Sequence, residues 1–190
     1  MKPTRDLDEL CYSFIYETSW LCDYEVATDE LCGHVGMACV ALARDMPDLA
    51  ADLDWLQPLV FHLNGSVRGK MAVTEADIDQ LKACLQRYRV EVAGAVKGFV
   101  LPRGEPPISN LHLGRSAAKK AIRALVRVEQ EGREIPSIVV RFCNVICNVL
   151  FAITLVINHR RQVTEMPFES LSYTIKRPKT VYGNDAPIHE

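Results

Sequence analysis

Apolar residues recur every three or four positions along most of the chain, the spacing that predicts amphipathic helices. This pattern predicts helices over about residues 5–22, 28–44, 48–67, 74–92, 109–132 and 136–159. It shows no strand of any length and no internal repeat. Since short connections favour antiparallel neighbours, the pattern predicts an all-α, antiparallel up-and-down bundle of about five helices.

Local signals mark several helix ends. Thr74, followed three residues later by Asp77, predicts a capping box at the start of one helix. Ser109 is a predicted N-cap after a proline-rich turn, and Pro136 suits the first turn of the last helix.

The last predicted helix is apolar on nearly every side, and residues 135–158 approach the length of a membrane span, about 20 residues. Arg141 near its start would cost about 2.5–3.5 kcal/mol at a bilayer centre, and Asn144 and Asn148 add to that cost. We therefore predict a buried core helix and no membrane association.

The composition fits one globular domain. The chain has 190 residues, 48% hydrophobic and 24% charged. We predict one domain over residues 1–190, with a core over about 24–160 and an irregular tail over 163–190. A net charge of -2 gives no sign of non-specific nucleic-acid binding, so any anion site must be local.

Cysteine use predicts a reducing, cytoplasmic location. There are seven cysteines, no C-x-x-C pair, and a start, MKPTRDLDEL, without the apolar stretch of a secretory leader. Cys143 and Cys147 are one helical turn apart, but that run supplies no further metal ligand, whereas a structural zinc site usually has four. We predict packing thiols and no metal site.

Two polar stripes are candidates for chemistry. Arg115, Lys119 and Arg123 follow at intervals of four on one helix, and Asn144 and Asn148 follow Arg141 on the next. A row of cations is either a solvated face or an anion site. The asparagines are either a structural hydrogen-bond network or part of a ligand site.

At these positions the chain resembles the ATP:cob(I)alamin adenosyltransferases, which are trimeric five-helix bundles. Residues 99–104 (FVLPRG) match the family's F-x-L-P-G-G, residues 111–115 (LHLGR) match L-H-x-A-R, and residues 119–123 (KKAIR) match R-R-A-E-R. Residues 142–151 (FCNVICNVLF) are similar to the final-helix motif Y-L-N-R-L-S-D-x-L-F, and ATDELCGHVG is similar to V-D-E-L-N-x-x-I-G. The resemblance covers about residues 24–160 in the family's order.

The resemblance implies a transferase that moves the adenosyl group of ATP to reduced cobalamin at a subunit interface of a homotrimer. It implies ATP, Mg²⁺ and cobalamin as the small molecules bound. Phe99 would be the apolar wall that removes the corrinoid's lower ligand. The other implied site residues would face phosphate, hold nucleotide or pair across the subunit boundary: Arg115, Lys119, Arg123, Asn144, Asn148 and Asp29.

The chain also departs from the family pattern. The glycine-rich N-terminal loop T-G-D-x-G-x-T has no counterpart, and no glycine precedes Gly33. Ile122 replaces the glutamate of R-R-A-E-R, and Asn148 replaces the final-helix aspartate. The alternative is therefore a non-catalytic relative that binds a corrinoid, another tetrapyrrole-like ligand or an anion without transfer.

Overall fold

A computed structural model describes residues 4, 6–95 and 98–172. It contains α1 (Trp20–Leu42), α2 (Pro47–Gly65), α3 (Glu75–Glu91), α4 (Ile108–Gln130) and α5 (Ser137–Arg160). A short 3-10 helix spans Leu7–Glu9, and β1 (Phe99–Val100) pairs with β2 (Pro167–Phe168). The predicted all-α bundle is confirmed.

The apolar faces of the five helices meet in one core. α1 packs against α2 and α4, α4 packs against α5, and α5 packs against α3. Within the described residues, one helix, α5, has the length and apolar character to cross a membrane, with a mean hydropathy of 2.1. However, 61% of that apolar window is buried inside the bundle, as predicted for a core helix.

The helix starts follow local chemistry. At α3, the Thr74 hydroxyl accepts from the Asp77 N–H at 3.3 Å and the Thr74 N–H donates to the Asp77 carboxylate at 2.7 Å, which confirms the capping box. The predicted N-cap at Ser109 is wrong, because α4 already begins at Ile108. Pro107 has a φ of -85° and a helical backbone, so Ser109 lies in the first turn.

The helix predicted over residues 5–22 is also wrong. The described part of this segment contains only the 3-10 helix Leu7–Glu9 and turns up to Ser19. Ser19 is the N-cap of α1, and its hydroxyl accepts from the Leu21 N–H at 3.2 Å. The helix predicted over 28–44 therefore starts earlier, at Trp20.

Side chains of this N-terminal segment bind a single arginine instead of forming a helix face. Arg68 donates to Glu25 at 2.7 Å and to Glu17 at 2.8 Å, and its guanidinium lies 3.7 Å from the centre of the Phe14 ring. The Tyr12 hydroxyl donates to Glu25 at 2.6 Å. These five residues form the Arg68 cluster (Tyr12, Phe14, Glu17, Glu25 and Arg68). Glu25 belongs to α1 and is only 3% exposed, so the cluster attaches residues 12–17 to the bundle.

A small antiparallel ribbon was not predicted. In β1 and β2, Phe99 pairs with Phe168 and Val100 pairs with Pro167, and the Leu101 N–H donates to the Met166 carbonyl at 2.9 Å. Strands of two residues are too short to give a periodic signal. Its second strand, β2, lies near the start of the predicted irregular tail, and residues 173–190 of that tail lie outside the described residues.

Candidate active site

The asparagine stripe lies on the exposed face of the otherwise buried helix α5. Asn144 and Asn148 are both exposed, and the Asn144 side chain donates to the Val140 carbonyl at 2.9 Å. Arg141, the third member of the predicted stripe, forms an exposed ion pair with Glu75 at 2.8 Å. The two asparagines therefore keep free polar atoms on an open surface.

Arg115 joins this surface from α4. Its guanidinium lies 4.2 Å from the centre of the Phe151 ring, and Phe151 follows Asn144 by seven residues and Asn148 by three on the same face of α5. Arg115 is half-buried, its Nε is buried without a hydrogen-bond partner, and no carboxylate in the described part of the chain pairs with it. A half-buried cation without a carboxylate partner attracts anions, because water screens its charge less than at a fully exposed position.

His112 positions the Arg115 guanidinium. Arg115 Nη1 lies 3.0 Å from His112 Nδ1. Since a guanidinium can only donate, Nδ1 accepts and the imidazole proton lies on Nε2. Burial and the neighbouring charge of Arg115 lower the pKa of His112 to about 4, so the imidazole is neutral at physiological pH.

Lys119 and Arg123 line a different surface, a groove of about 960 Å³ between α1 and α4. Neither has a carboxylate partner among the described residues. Their neighbour Lys120 pairs with Glu30 at 2.9 Å. The groove is lined by four cations, Lys119, Lys120, Arg123 and Arg127, and by the carboxylates of Glu17, Asp23 and Glu30, so its lining has a small excess of positive charge.

Further along the groove, Arg127 stacks on the Trp20 indole at 3.9 Å. Ile15 and Glu17 of the N-terminal segment complete this wall of the groove. The segment that stands where the family has its glycine-rich loop therefore contributes side chains to the same groove.

Helix geometry explains why the three predicted cations separate. Four residues turn an α-helix by slightly more than one turn, so each step from Arg115 to Lys119 to Arg123 rotates the side chain by about 40°. Arg115 faces α5, whereas Lys119 and Arg123 face the α1 groove. The cationic row therefore crosses the outer face of α4 from one neighbouring helix to the other.

Phe99 lies on the ribbon and is 52% exposed, so its ring is not part of the buried core. Its cross-strand partner Phe168 is 45% exposed, and partners across a ladder project to the same side. Sequence reasoning missed Phe168, because only the pairing of the ribbon brings it beside Phe99. Asp29 is exposed on α1.

We expect His112 to make stability depend on pH. Its folded pKa of about 4 lies below the ordinary 6.5, so its contribution is complete above pH 6.5 and is lost as the pH falls from 6.5 to 4. His112→Gln can still accept from Arg115 but cannot titrate. In urea denaturation, the wild-type protein should lose unfolding free energy faster than His112→Gln over this window. Equal slopes would contradict the assignment.

Comparisons with known proteins agree with the family that the sequence motifs resemble. The family described as cobalamin adenosyltransferase matches residues 18–157. The corrinoid adenosyltransferase of Bacillus subtilis (strain 168) is 29% identical over 148 residues, which is 74% of this chain and 76% of that protein. The cobalamin adenosyltransferase of Cupriavidus metallidurans is 29% identical over 135 residues, which is 68% of this chain and 70% of that protein.

Solved structures agree in fold. A variant PduO-type ATP:corrinoid adenosyltransferase from Lactobacillus reuteri, complexed with ATP, superposes with a TM-score of 0.73 at 25% identity, covering 82% of this chain and 90% of that one. Another variant of that enzyme, complexed with cobalamin and ATP, gives a TM-score of 0.71 at 24% identity, covering 81% of this chain and 86% of the other. The predicted class of enzyme, a transferase, is confirmed, and the chain belongs to the cobalamin adenosyltransferase family.

Proposed function

We propose that this chain is a divergent adenosyltransferase that transfers the adenosyl group of ATP to reduced cobalamin at a subunit interface in the cytoplasm. The surroundings of Arg115 are the observation on which the proposal rests. It is a half-buried cation without a carboxylate partner, beside the two exposed asparagines of α5. Membership of the family and the ATP complex of the Lactobacillus reuteri relative support the same chemistry.

The reaction needs positive charge where triphosphate leaves. Cobalt(I) uses its electron pair to form a bond to the ribose 5′ carbon, and the carbon–oxygen bond breaks with its electrons going to triphosphate. Preorganised cations stabilise that developing charge. Arg115 fills this role from the α5 side of α4, and Lys119 and Arg123 fill it from the groove side, so the triphosphate would lie across the outer face of α4. Asn144 and Asn148 offer amides to the nucleotide, and Mg²⁺ would bind with its phosphates.

The exposed aromatic pair of the ribbon provides the apolar wall. Phe99 and Phe168 present two rings on one side of the molecule, with exposed fractions of 52% and 45%. An apolar surface offers no ligand to the lower face of cobalt, and it favours a four-coordinate corrinoid that is easier to reduce. We therefore assign both rings to the corrinoid site.

One uncovered face of α1 supports a homotrimer. Val26, Asp29, Gly33, Met37 and Val40 follow at intervals of three and four, which places them on one side of the helix. The three apolar side chains of this face are 48%, 56% and 79% exposed. A neighbouring protomer would cover them, and Asp29 would then pair with Lys119 of the partner subunit.

The divergence lies in how triphosphate is held. Residues 12–17 carry no glycine and are fixed by the Arg68 cluster, so a flexible backbone loop cannot wrap phosphate there. Side-chain cations along α4 would replace those backbone contacts.

An anaerobic assay tests the proposal. Protein, cob(II)alamin, a reductant and Mg-ATP should give adenosylcobalamin, seen as loss of the base-off cobalt(II) signal, and sedimentation of the same sample should give a trimer. Omitting ATP should abolish the product. A corrinoid-induced spectral change that does not depend on ATP would favour the non-catalytic relative, and no corrinoid binding by folded protein would overturn both functions.

A further inference from the structure

A second cavity, of about 620 Å³, lies where α3 and α5 end. Asn158 lines it and is only 4% exposed. Its amide nitrogen donates to Glu165 at 2.8 Å, while its Oδ1 is buried and has no hydrogen-bond partner. Because a carboxylate can only accept, the Glu165 contact fixes which side-chain atom is the oxygen.

A buried carbonyl oxygen without a hydrogen-bond partner is destabilising, so a donor from a ligand would satisfy it. The surroundings determine which donor fits. Glu165 carries negative charge, Glu91 is paired with Arg160 at 2.7 Å, and the carboxyl end of α5 is the negative end of the helix dipole. An anionic group is disfavoured there, whereas a neutral or positive N–H donor would satisfy Asn158.

The cavity is close to the aromatic pair through the residues that precede β2. Glu165 lines the cavity and precedes Phe168 of β2 by three residues. An extended chain rises about 3.3 Å per residue, so Glu165 and Phe168 are at most about 10 Å apart. A corrinoid lying on the two rings would have its periphery near the mouth of the cavity.

We infer that this cavity binds a peripheral carboxamide of the corrinoid. The amide N–H₂ donates to Asn158 Oδ1 and to the carboxylate of Glu165, and the charge of Glu165 selects amidated corrinoids over those with free carboxylates. This inference rests on the proposed function, since it assumes a corrinoid on the ribbon. It adds to that function a subsite that selects among corrinoids.

Two corrinoids without a lower base provide the test. Cobinamide keeps its peripheral amides, whereas the heptacarboxylic acid carries carboxylates in their place. Equilibrium dialysis with Mg-ATP, read by visible absorbance, measures binding without requiring turnover. We expect the wild-type protein to bind cobinamide at least about tenfold more tightly, which corresponds to one interaction of about 1.4 kcal/mol.

Variants assign the preference to the cavity. Asn158→Leu should weaken cobinamide binding about tenfold and leave acid binding nearly unchanged. Glu165→Gln should bind the acid more tightly, and so reduce the preference. Glu169→Gln removes an exposed carboxylate just beyond the ribbon and serves as the matched control, with the preference expected to stay at the wild-type value.

The outcomes separate this inference from the proposed function. Adenosyl transfer by the wild-type protein, without a preference between the two corrinoids, would overturn the subsite and leave the function standing. An equal loss of preference in Glu165→Gln and Glu169→Gln would also overturn it, since general surface charge would then be the cause. Preference for cobinamide without transfer would support the cavity and contradict the function.

Discussion

Replacing Arg115 with methionine is expected to lower kcat/KM for adenosyl transfer by about 10²–10³-fold, the usual effect of removing one preorganised donor from a developing negative charge. Methionine keeps the packing on Phe151 but removes the cation. Arg115→Lys should recover only part of the loss, because an ammonium lacks the planar fork that stacks on the ring. Steady-state kinetics with Mg-ATP and cob(I)alamin measure both variants.

Two further variants separate position from charge. Arg44→Met removes an exposed cation beyond the end of α1, and its kcat/KM should match the wild-type value. Lys119→Met should cost less than Arg115→Met, since an exposed ammonium is screened by water. Equal losses of kcat/KM in Arg44→Met and Arg115→Met would show that net charge causes the effect, and this would contradict a specific role for Arg115.

The sequence predicted the bundle because its helices are long and strongly periodic. α3, α4 and α5 bury one continuous set of apolar positions, and local chemistry at Thr74 fixes the start of α3. The N-terminal segment has similar spacing but failed to form a helix. Its aromatic and acidic residues contact Arg68 instead. Arg68 lies 51 positions beyond Glu17, and no local sequence pattern predicts a contact at that separation.

The sequence proposed residue types for the candidate site, whereas their arrangement in space came only from the structure. Family motifs singled out Arg115 and the asparagines, but periodicity placed Arg115, Lys119 and Arg123 on one face, and the structure divides them between α5 and the α1 groove. Phe168 was not predicted as a site residue, because only pairing with β1, about 70 residues earlier in the chain, brings it beside Phe99. Contacts between distant segments therefore determine the arrangement of these residues, which sequence spacing alone does not specify.

Replacing Arg68 with methionine is expected to reduce the free energy of unfolding by about 3 kcal/mol. The change leaves the carboxylate of Glu25, which is 3% exposed, without its charged partner, although the Tyr12 hydroxyl still donates to it. It also frees Glu17 and the Phe14 ring, so residues 12–17 should become sensitive to protease. Urea denaturation and limited proteolysis measure the two effects.

Arg141→Met is the matched control, because its ion pair with Glu75 is largely exposed on both sides and water screens the attraction, so its loss should change the free energy of unfolding much less than Arg68→Met does. A double variant, Arg68→Met with Glu25→Gln, should recover part of the lost stability, since a neutral amide is cheaper to bury than an unpaired carboxylate. Equal losses for Arg68→Met and Arg141→Met would show that Glu25 has other means of compensation. The groove wall formed by Ile15, Glu17 and Trp20 would then not depend on Arg68.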